Sequence, residues 1–293
     1  MTNKVTKTAY AKVNLALDVL SEREDGYHEV RMIMHNLSLA DELTFTLGKE
    51  SPEGVPAEVK LSSNREDIPT DGKNLVVKAV RLMYETYHLN REMEIYLQKY
   101  IPVEAGMAGG STDAAAALHA VNELFELGLS DEELAKLGLS IGADVPYCVY
   151  GKPALSEGIG EKLTFLKPLP DSIILVAKPP ISLSTKYIYT NLAPAAELPH
   201  PDIDGMLSAM EDSDLPGICS KMGNVLETVS VAAYREIEAI KQTMMINQAL
   251  GAIMTGSGPT VFGIFDDQAL AEKARDAILR LGIAEEVFLA RSL

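Results

Sequence analysis

Near the start of the chain, apolar and polar residues alternate. Val13, Leu15, Leu17 and Val19 are interleaved with Asn14, Ala16 and Asp18. A period of two puts each set on its own face of a strand, so this segment reads as a half-buried β-strand. Met93, Ile95 and Leu97 repeat the pattern against Glu94, Tyr96 and Gln98. From Asn74 to about Leu89 the period becomes helical, with Leu75, Ala79, Leu82 and Met83 on one side. An alanine-rich run from Ala114 predicts a second helix ending near Gly128. Ser130-Asp-Glu-Glu133 is a capping box that opens a third.

Glycine and proline gather between about 150 and 170, at Gly151, Pro153, Gly158, Gly160, Pro168 and Pro170. Such a texture marks a domain boundary, placed at residue 162: residues 1–162 form an N-terminal domain and 163–293 a C-terminal one. Beyond it, Ile173–Ala177 reads as a buried strand stopped by Pro179-Pro180, and 186–218 as loops with short helices. The pattern then predicts one long helix from Asn224 to Gln248, strands at Ala252–Met254 and Thr260–Phe265, a helix at Gln268–Leu281 and a last strand at Glu286–Ala290.

A chain of 293 residues, 47% apolar and 23% charged, buries a sizeable core and has the ordinary balance of a soluble protein. Its net charge of −16 argues against nucleic acid as a partner, because such proteins carry basic patches. Any anionic ligand must instead be met by a few well-placed lysines. Cys148 and Cys219 have no metal-ligand spacing, and no metal site is expected from them. The segment Met-Thr-Asn-Lys-Val-Thr-Lys lacks the apolar core of a signal peptide, and no 18-residue apolar run follows. A cytoplasmic protein with no membrane partner is expected, as a monomer or homodimer.

The segment richest in chemistry is Pro102-Val-Glu-Ala-Gly-Met-Ala-Gly-Gly-Ser-Thr-Asp113. Glycines let a ligand approach the main chain, and the helix behind them offers unpaired N–H groups and the positive end of its dipole. Together these suit an anion, phosphate above all. The competing reading is a flexible turn capped by Ser111 or Thr112. The loop lacks the lysine of G-x-x-x-x-G-K-[ST], and the expected helix follows too late for a standard G-x-G-x-x-G opening, so a cradle here is of another class. Four further segments each have an ordinary reading. Lys12 and Asn14 share the polar strand face, where a lysine is usually solvated. Gly142-Ala-Asp144-Val-Pro reads equally as an Asx turn or helix cap. Thr255-Gly-Ser-Gly-Pro259 is compatible with a simple hairpin turn, and Asp25-Gly-Tyr-His28 with a turn before a strand.

Their order along the chain, however, resembles the signature segments of the GHMP kinases, which include galactokinase, homoserine kinase and mevalonate kinase. The carrying stretches are Ala11-Lys-Val-Asn-Leu15, Asp25-Gly-Tyr-His28, Ala105-Gly-Met-Ala-Gly-Gly-Ser-Thr-Asp-Ala-Ala115, Ile141-Gly-Ala-Asp-Val-Pro146 and Glu157-Gly-Ile-Gly-Glu161. The resemblance implies a two-domain α+β fold, with an N-terminal ribosomal-protein-like α+β domain and a C-terminal ferredoxin-like α/β sandwich. It implies ATP-dependent phosphorylation of a small-molecule alcohol, with Mg²⁺ arriving on ATP. Within the family, Asp-Gly-Tyr-His and Gly-Ala-Asp-Val-Pro are similar to members whose acceptor is a cytidyl diphosphate in the non-mevalonate isoprenoid route.

On that resemblance Asp144 is the base and Lys12 the cation that steadies the transferred phosphoryl group. Pro102, Ala105, Gly106, Met107, Ala108, Gly109, Gly110, Ser111 and Thr112 hold the phosphates, and Asn74, Leu75 and Lys99 the adenosine. Asn14 orients the acceptor, Tyr27 and Tyr189 sandwich the cytosine, His28 bonds its edge, and Gly256 and Ser257 complete the acceptor side. Tyr187 lies on the neighbouring register to Tyr189. The commonest family loop reads Gly-Leu-Gly-Gly-Gly-Ser-Ser, so Met107, Ala108 and Thr112 are departures, and Glu104 adds a negative charge nearby. The alternatives are a mevalonate- or homoserine-type kinase, against which Tyr27-His28 argues, and a silent nucleotide-binding relative. A translation-associated protein sharing the N-terminal fold conflicts with the charge.

Overall fold

The structure is a computed structural model that describes residues 3–52 and 54–293; Met1 and Thr2 of the N-terminal segment, and Glu53, lie outside it. The chain runs β1 (Lys4–Glu22), β2 (His28–Glu50), β3 (Val59–Ser63), α1 (Leu75–Tyr87), β4 (Arg91–Gln98), α2 (Gly109–Leu124), α3 (Asp131–Leu139), α4 (Val145–Tyr150), β5 (Ala154–Gly158) and β6 (Lys162–Phe165). It continues with β7 (Ile173–Lys178), α5 (Thr185–Thr190), a 3-10 turn, α6 (Ile203–Glu211), α7 (Leu215–Ser220), β8 (Gly223–Asn224), α8 (Glu227–Ala233), α9 (Arg235–Ile246), β9 (Gly251–Met254), β10 (Val261–Phe265), α10 (Gln268–Leu281) and β11 (Glu286–Arg291).

These elements form two compact units. The first comprises Met1–Ala11, Ala40–Val103 and Ala108–Gly151; the second comprises Lys12–Leu39, Glu104–Met107 and Lys152–Leu293. Neither is one continuous stretch, because the long strands change partners along their length. Val30–Met34 of β2 pair antiparallel with β5, and Ala16 and Leu17 of β1 pair parallel with β8, which assigns these parts to the second unit.

In the first unit, Glu42–Leu47 of β2 pair antiparallel with β4, and β3 runs parallel to β4. Leu43, Phe45, Met93, Ile95 and Leu97 point inward onto α1 and α2. Helix α1 starts where Asn74 Oδ1 accepts the Val76 N–H at 2.9 Å and stops at His88 in a left-handed conformation. Ala114–Ala117 are buried in α2, and side chains this small let α1 and α2 pack closely. The Ser130–Glu133 capping box is present at the start of α3.

In the second unit, β7, β9, β10 and β11 form an antiparallel sheet in the order β11-β7-β10-β9. Ile237, Ile240 and Met244 of α9, with Ala271, Ala274 and Ile278 of α10, are buried and cover it. This is the sandwich expected of the C-terminal part. The single helix expected from Asn224 to Gln248 is in fact two, separated at Tyr234 in an extended conformation (φ −137°, ψ 102°). Glu227 Oε2 accepts from Lys241 Nζ at 2.8 Å and Glu227 Oε1 from the Met254 N–H at 2.8 Å. Fourteen residues of unbroken helix would separate Glu227 and Lys241 by about 21 Å, so that ion pair needs the break.

The half-buried reading of β1 also changes. Every residue from Ala11 to Val19 is buried, the polar ones included. Asp18 Oδ1 accepts from the Val19 N–H at 2.9 Å and meets His200 Nδ1 at 2.7 Å, so the polar face is covered and its groups are paired, as burial requires. Among the described residues, no helix is long and apolar enough to cross a membrane.

Candidate active site

The expected site residues fall into two clusters, one in each unit. In the first unit the glycine-rich segment enters α2 earlier than the sequence suggests. The helix begins at Gly109, so Gly109, Gly110, Ser111 and Thr112 form its first turn rather than a loop before it. No side chain caps it. The N-cap position is Ala108, held left-handed at φ 57°, ψ 26°, and neither Ser111 nor Thr112 takes the capping role. The opening N–H groups of α2 therefore stand at the positive end of a 16-residue helix, the arrangement that binds phosphate.

Leu75 lies beside that turn: a methyl group on Gly110 would sit 3.5 Å from Leu75 Cδ1. Asn74 is committed to capping α1, with Nδ2 donating to the Pro69 carbonyl at 2.7 Å. The turn before α4 also approaches, since a methyl on Gly142 would be 4.0 Å from Ser111 Oγ. Asp144 occupies the N-cap position of α4 but makes no cap hydrogen bond, so the capping explanation for this acid does not apply.

Lys99 is buried, and its ammonium is paired with Asp41 and, at 2.7 Å, with Asp113 Oδ2. Burial alone would pull its pKa down; the Asp113 and Asp41 carboxylates outweigh that and raise it. The positive charge that Lys99 brings near the glycine loop is thus already matched by two buried acids. Pro102, two residues beyond Tyr100, is buried as well.

In the second unit Lys12 and Asn14 are buried at 4% and 0% exposure, which overturns the solvated-lysine expectation. Lys12 Nζ donates to Asn14 Oδ1 at 2.8 Å, and the Lys12 N–H donates to the Met107 carbonyl at 3.2 Å. The Asn14 N–H donates to Thr255 Oγ1 at 3.1 Å, and the Thr255 hydroxyl donates to the Gly106 carbonyl at 3.3 Å. Segments 12–14, 105–107 and 255–258 are thereby stitched together. Gly106 (φ 70°) permits it, because a methyl there would be 2.4 Å from the Thr255 carbonyl oxygen. Asn224 Nδ2 donates to the Met254 and Gly256 carbonyls, both at 2.8 Å, and Ser257 Oγ lies 2.8 Å from Thr185 Oγ1. Ala105 and Met107 are buried, whereas Glu104 (φ 52°) is exposed and directs its charge to solvent.

The Arg23–Tyr27 turn is set by the Tyr27 N–H donating to Asp25 Oδ1 at 3.1 Å, and that bond is the main reason the Asp25 carboxyl titrates below its usual value. Tyr27 is 57% exposed. His28 meets Tyr189, with ring centroids 4.8 Å apart and planes inclined at 41°. Tyr189 is therefore the α5 tyrosine beside His28, while Tyr187 lines a separate groove with Asn191, Thr228 and Val229. Thr255, Asn224, Asp41 and Asp113 complete these clusters without having been marked as site residues from the sequence. Asp41 leaves a trace there, at the alternate position between Leu39 and Leu43 that shares their strand face, while its neighbour Glu42 falls on the other.

Residues 74–152 match the family model for the GHMP kinases N-terminal domain, and residues 189–284 that for the GHMP kinases C-terminal domain. The 4-diphosphocytidyl-2-C-methyl-D-erythritol kinase of Lachnoclostridium phytofermentans is 48% identical over 270 residues, covering 92% of this chain and 91% of the relative. The protein of the same name from Lachnospira eligens is 46% identical over 280 residues, covering 96% and 95%. A crystal structure of 4-(cytidine 5'-diphospho)-2C-methyl-D-erythritol kinase superposes with a TM-score of 0.81 at 28% identity, covering 98% of this chain and 99% of that one. The chain belongs to the GHMP kinase family, within its 4-diphosphocytidyl-2-C-methyl-D-erythritol kinase branch.

Proposed function

We propose that the protein transfers the γ-phosphoryl group of ATP to the 2-hydroxyl of 4-diphosphocytidyl-2-C-methyl-D-erythritol. The observation that carries this reading is identity of 46–48% over more than nine-tenths of the chain to kinases of that name. The acceptor oxygen attacks the γ-phosphorus, its proton passes to Asp144, and the bond to the β-phosphate oxygen breaks to release ADP. Phosphoryl transfer of this kind rests on positioning and charge neutralisation rather than covalent chemistry. The first turn of α2, Gly109–Thr112, offers its N–H groups to the triphosphate, with Leu75 against the nucleoside. Lys12, oriented by Asn14, offsets charge on the transferred group. Tyr27 and Tyr189 stack on the cytosine, His28 bonds its edge, and Gly256 and Ser257 lie on the acceptor side.

Magnesium enters as part of the Mg²⁺–ATP substrate. A cation carried on the phosphates takes few protein ligands. The domain division at 162/163 leaves the two family matches on opposite sides. A cytoplasmic location is in keeping with a water-soluble substrate pair.

A coupled ADP-release assay with the cytidyl acceptor, mevalonate and homoserine tests the reading. ADP release with the cytidyl acceptor alone supports it. Release with mevalonate or homoserine instead, or with none of the three, sinks it.

A further inference from the structure

Beneath the first turn of α2 lies a cluster of charge that the proposed reaction does not use. Asp41 of β2, Lys99 just after β4 and Asp113 of α2 are all buried, at 0%, 6% and 3% exposure. Lys99 Nζ donates to Asp41 Oδ2 and to Asp113 Oδ2. Asp41 Oδ1 accepts the N–H groups of Tyr100 at 2.6 Å and Ile101 at 2.8 Å. The Lys99 backbone is itself pinned by Asn64, whose Oδ1 accepts from the Lys99 N–H at 2.7 Å and whose Nδ2 donates to the Lys99 carbonyl at 3.1 Å. One ammonium thus ties a strand, the segment leaving another strand and the start of a helix to a single point.

That point is directly under the glycines. A methyl on Gly109 would lie 2.9 Å from Lys99 Nζ and 3.1 Å from Ile101 Cγ2, so the first turn of α2 rests on the lysine with no room to spare. Asp113 Oδ1 has no hydrogen-bond partner among the described residues, although the carboxyl is almost wholly buried. Burial lifts Asp113 to about 7 against the pull of Lys99, with Asp41 pushing the same way as burial. Without Lys99, two buried carboxylates would face each other across the junction of β2 and α2, an arrangement that drives elements apart.

We propose that Lys99 is a positioning residue for the phosphate-binding turn: clamped between Asp41 and Asp113, it sets the height of Gly109 and Gly110 without itself touching nucleotide. This deepens the kinase reading and rests on α2 being its phosphate site. The consequence is specific to the phosphates. Loss of the clamp weakens every ligand that uses the α2 N–H groups and leaves the cytidyl acceptor alone.

Calorimetric binding of ATP and of inorganic tripolyphosphate to wild type, Lys99→Arg and the charge-balanced pair Lys99→Met/Asp113→Asn tests it. The double variant retains one buried acid, Asp41, which still has its two backbone donors. Both dissociation constants should rise together by about tenfold or more in the double variant, the scale of a displaced binding group, while KM for the acceptor stays within about twofold. Lys99→Arg keeps the charge in a larger, planar head and should raise both constants by about threefold. A folded double variant that binds ATP like wild type makes Lys99 a mere neutraliser of Asp113 and overturns the proposal. Weaker ATP with unchanged tripolyphosphate also overturns it, because the lysine then touches the nucleoside. If the double variant does not fold, Lys99→Arg decides: wild-type constants for both ligands count against the clamp. Binding is read without turnover, so wild type that binds both ligands but phosphorylates no cytidyl acceptor refutes the substrate assignment and leaves the clamp to be judged separately.

Discussion

Replacing Gly106 by alanine gives a direct measure of how tightly the second-unit cluster is built. The new methyl would lie 2.4 Å from the Thr255 carbonyl oxygen, 3.1 Å from the Gly258 nitrogen and 3.2 Å from its carbonyl oxygen. All three are backbone atoms, so the contact cannot be relieved by rotating a side chain. Two costs add. Holding alanine at φ 70° costs about 1–2 kcal/mol, and forcing a methyl into a filled space costs about 1–3 kcal/mol more. A loss of about 2–5 kcal/mol is expected. Gly282→Ala supplies the control, since Gly282 has a similar φ of 63° but nothing within 4 Å of its added methyl. It should lose only the conformational part, about 1–2 kcal/mol. Urea unfolding of both variants isolates the steric term as their difference. Because Thr255 also holds Asn14, displacing it should lower kcat/KM by about 10²-fold in Gly106→Ala and leave Gly282→Ala near wild type. Equal destabilisation of the two variants, or a fully active Gly106→Ala, refutes the stitched arrangement of segments 12–14, 105–107 and 255–258.

Asp144→Asn should lower kcat by at least about 10²-fold with little change in ATP affinity; an unchanged kcat removes Asp144 from the role of base. Tyr27→Ala should weaken the cytidyl acceptor by about 1–3 kcal/mol and spare KM for ATP, whereas equal losses for both substrates place this ring elsewhere. Ala108→Gly relieves a left-handed alanine at φ 57°; after the added chain entropy of glycine, a gain of about 0.5–1 kcal/mol in urea is expected, and a loss contradicts the strain. His35 is buried, accepts the Leu169 N–H at Nε2 and donates from Nδ1 to the Asn36 carbonyl, and burial drives its pKa down to about 4. Above about pH 6.5 both folded and unfolded states are neutral at His35 and its contribution is complete. As pH falls from 6.5 to 4 the unfolded state takes the proton first, so about 3 kcal/mol of stability is lost over that window. His35→Gln should flatten this part of the stability–pH curve; curves of identical slope for both proteins refute the assignment.

The elements that the sequence made readable are those whose hydrophobic period is set by one buried face. Helix α10 matches its expected span, and α3 follows from a capping box that acts within four residues. Strand β1 misled because its second face is also covered. A covered polar face keeps the same alternation as a solvated one, and only the partners of Lys12, Asn14 and Asp18 reveal the difference. The break at Tyr234 was hidden for a related reason: local propensity allows helix throughout, and the pairing of Glu227 with Lys241 that demands the break is tertiary. The phosphate turn was recognisable from glycines before an alanine run, but its helix starts at Gly109 because the chain enters through Ala108 in a left-handed conformation, which sequence pattern does not report. Thr255 and Asn224 are short polar residues in apolar surroundings, and nothing short of the fold says which carbonyls they bind.

Where the phosphoryl group lands tests the central claim most directly. Carbon 2 of the acceptor carries the methyl branch and so bears no proton, unlike the other carbons open to phosphorylation. With ATP and 4-diphosphocytidyl-2-C-methyl-D-erythritol, the phosphorus spectrum of the product should gain one monoester resonance with no splitting from a carbinol proton. A monoester signal split by one or two carbinol protons would place the phosphate on another hydroxyl. ATP turnover that yields only inorganic phosphate would contradict transfer to this acceptor altogether.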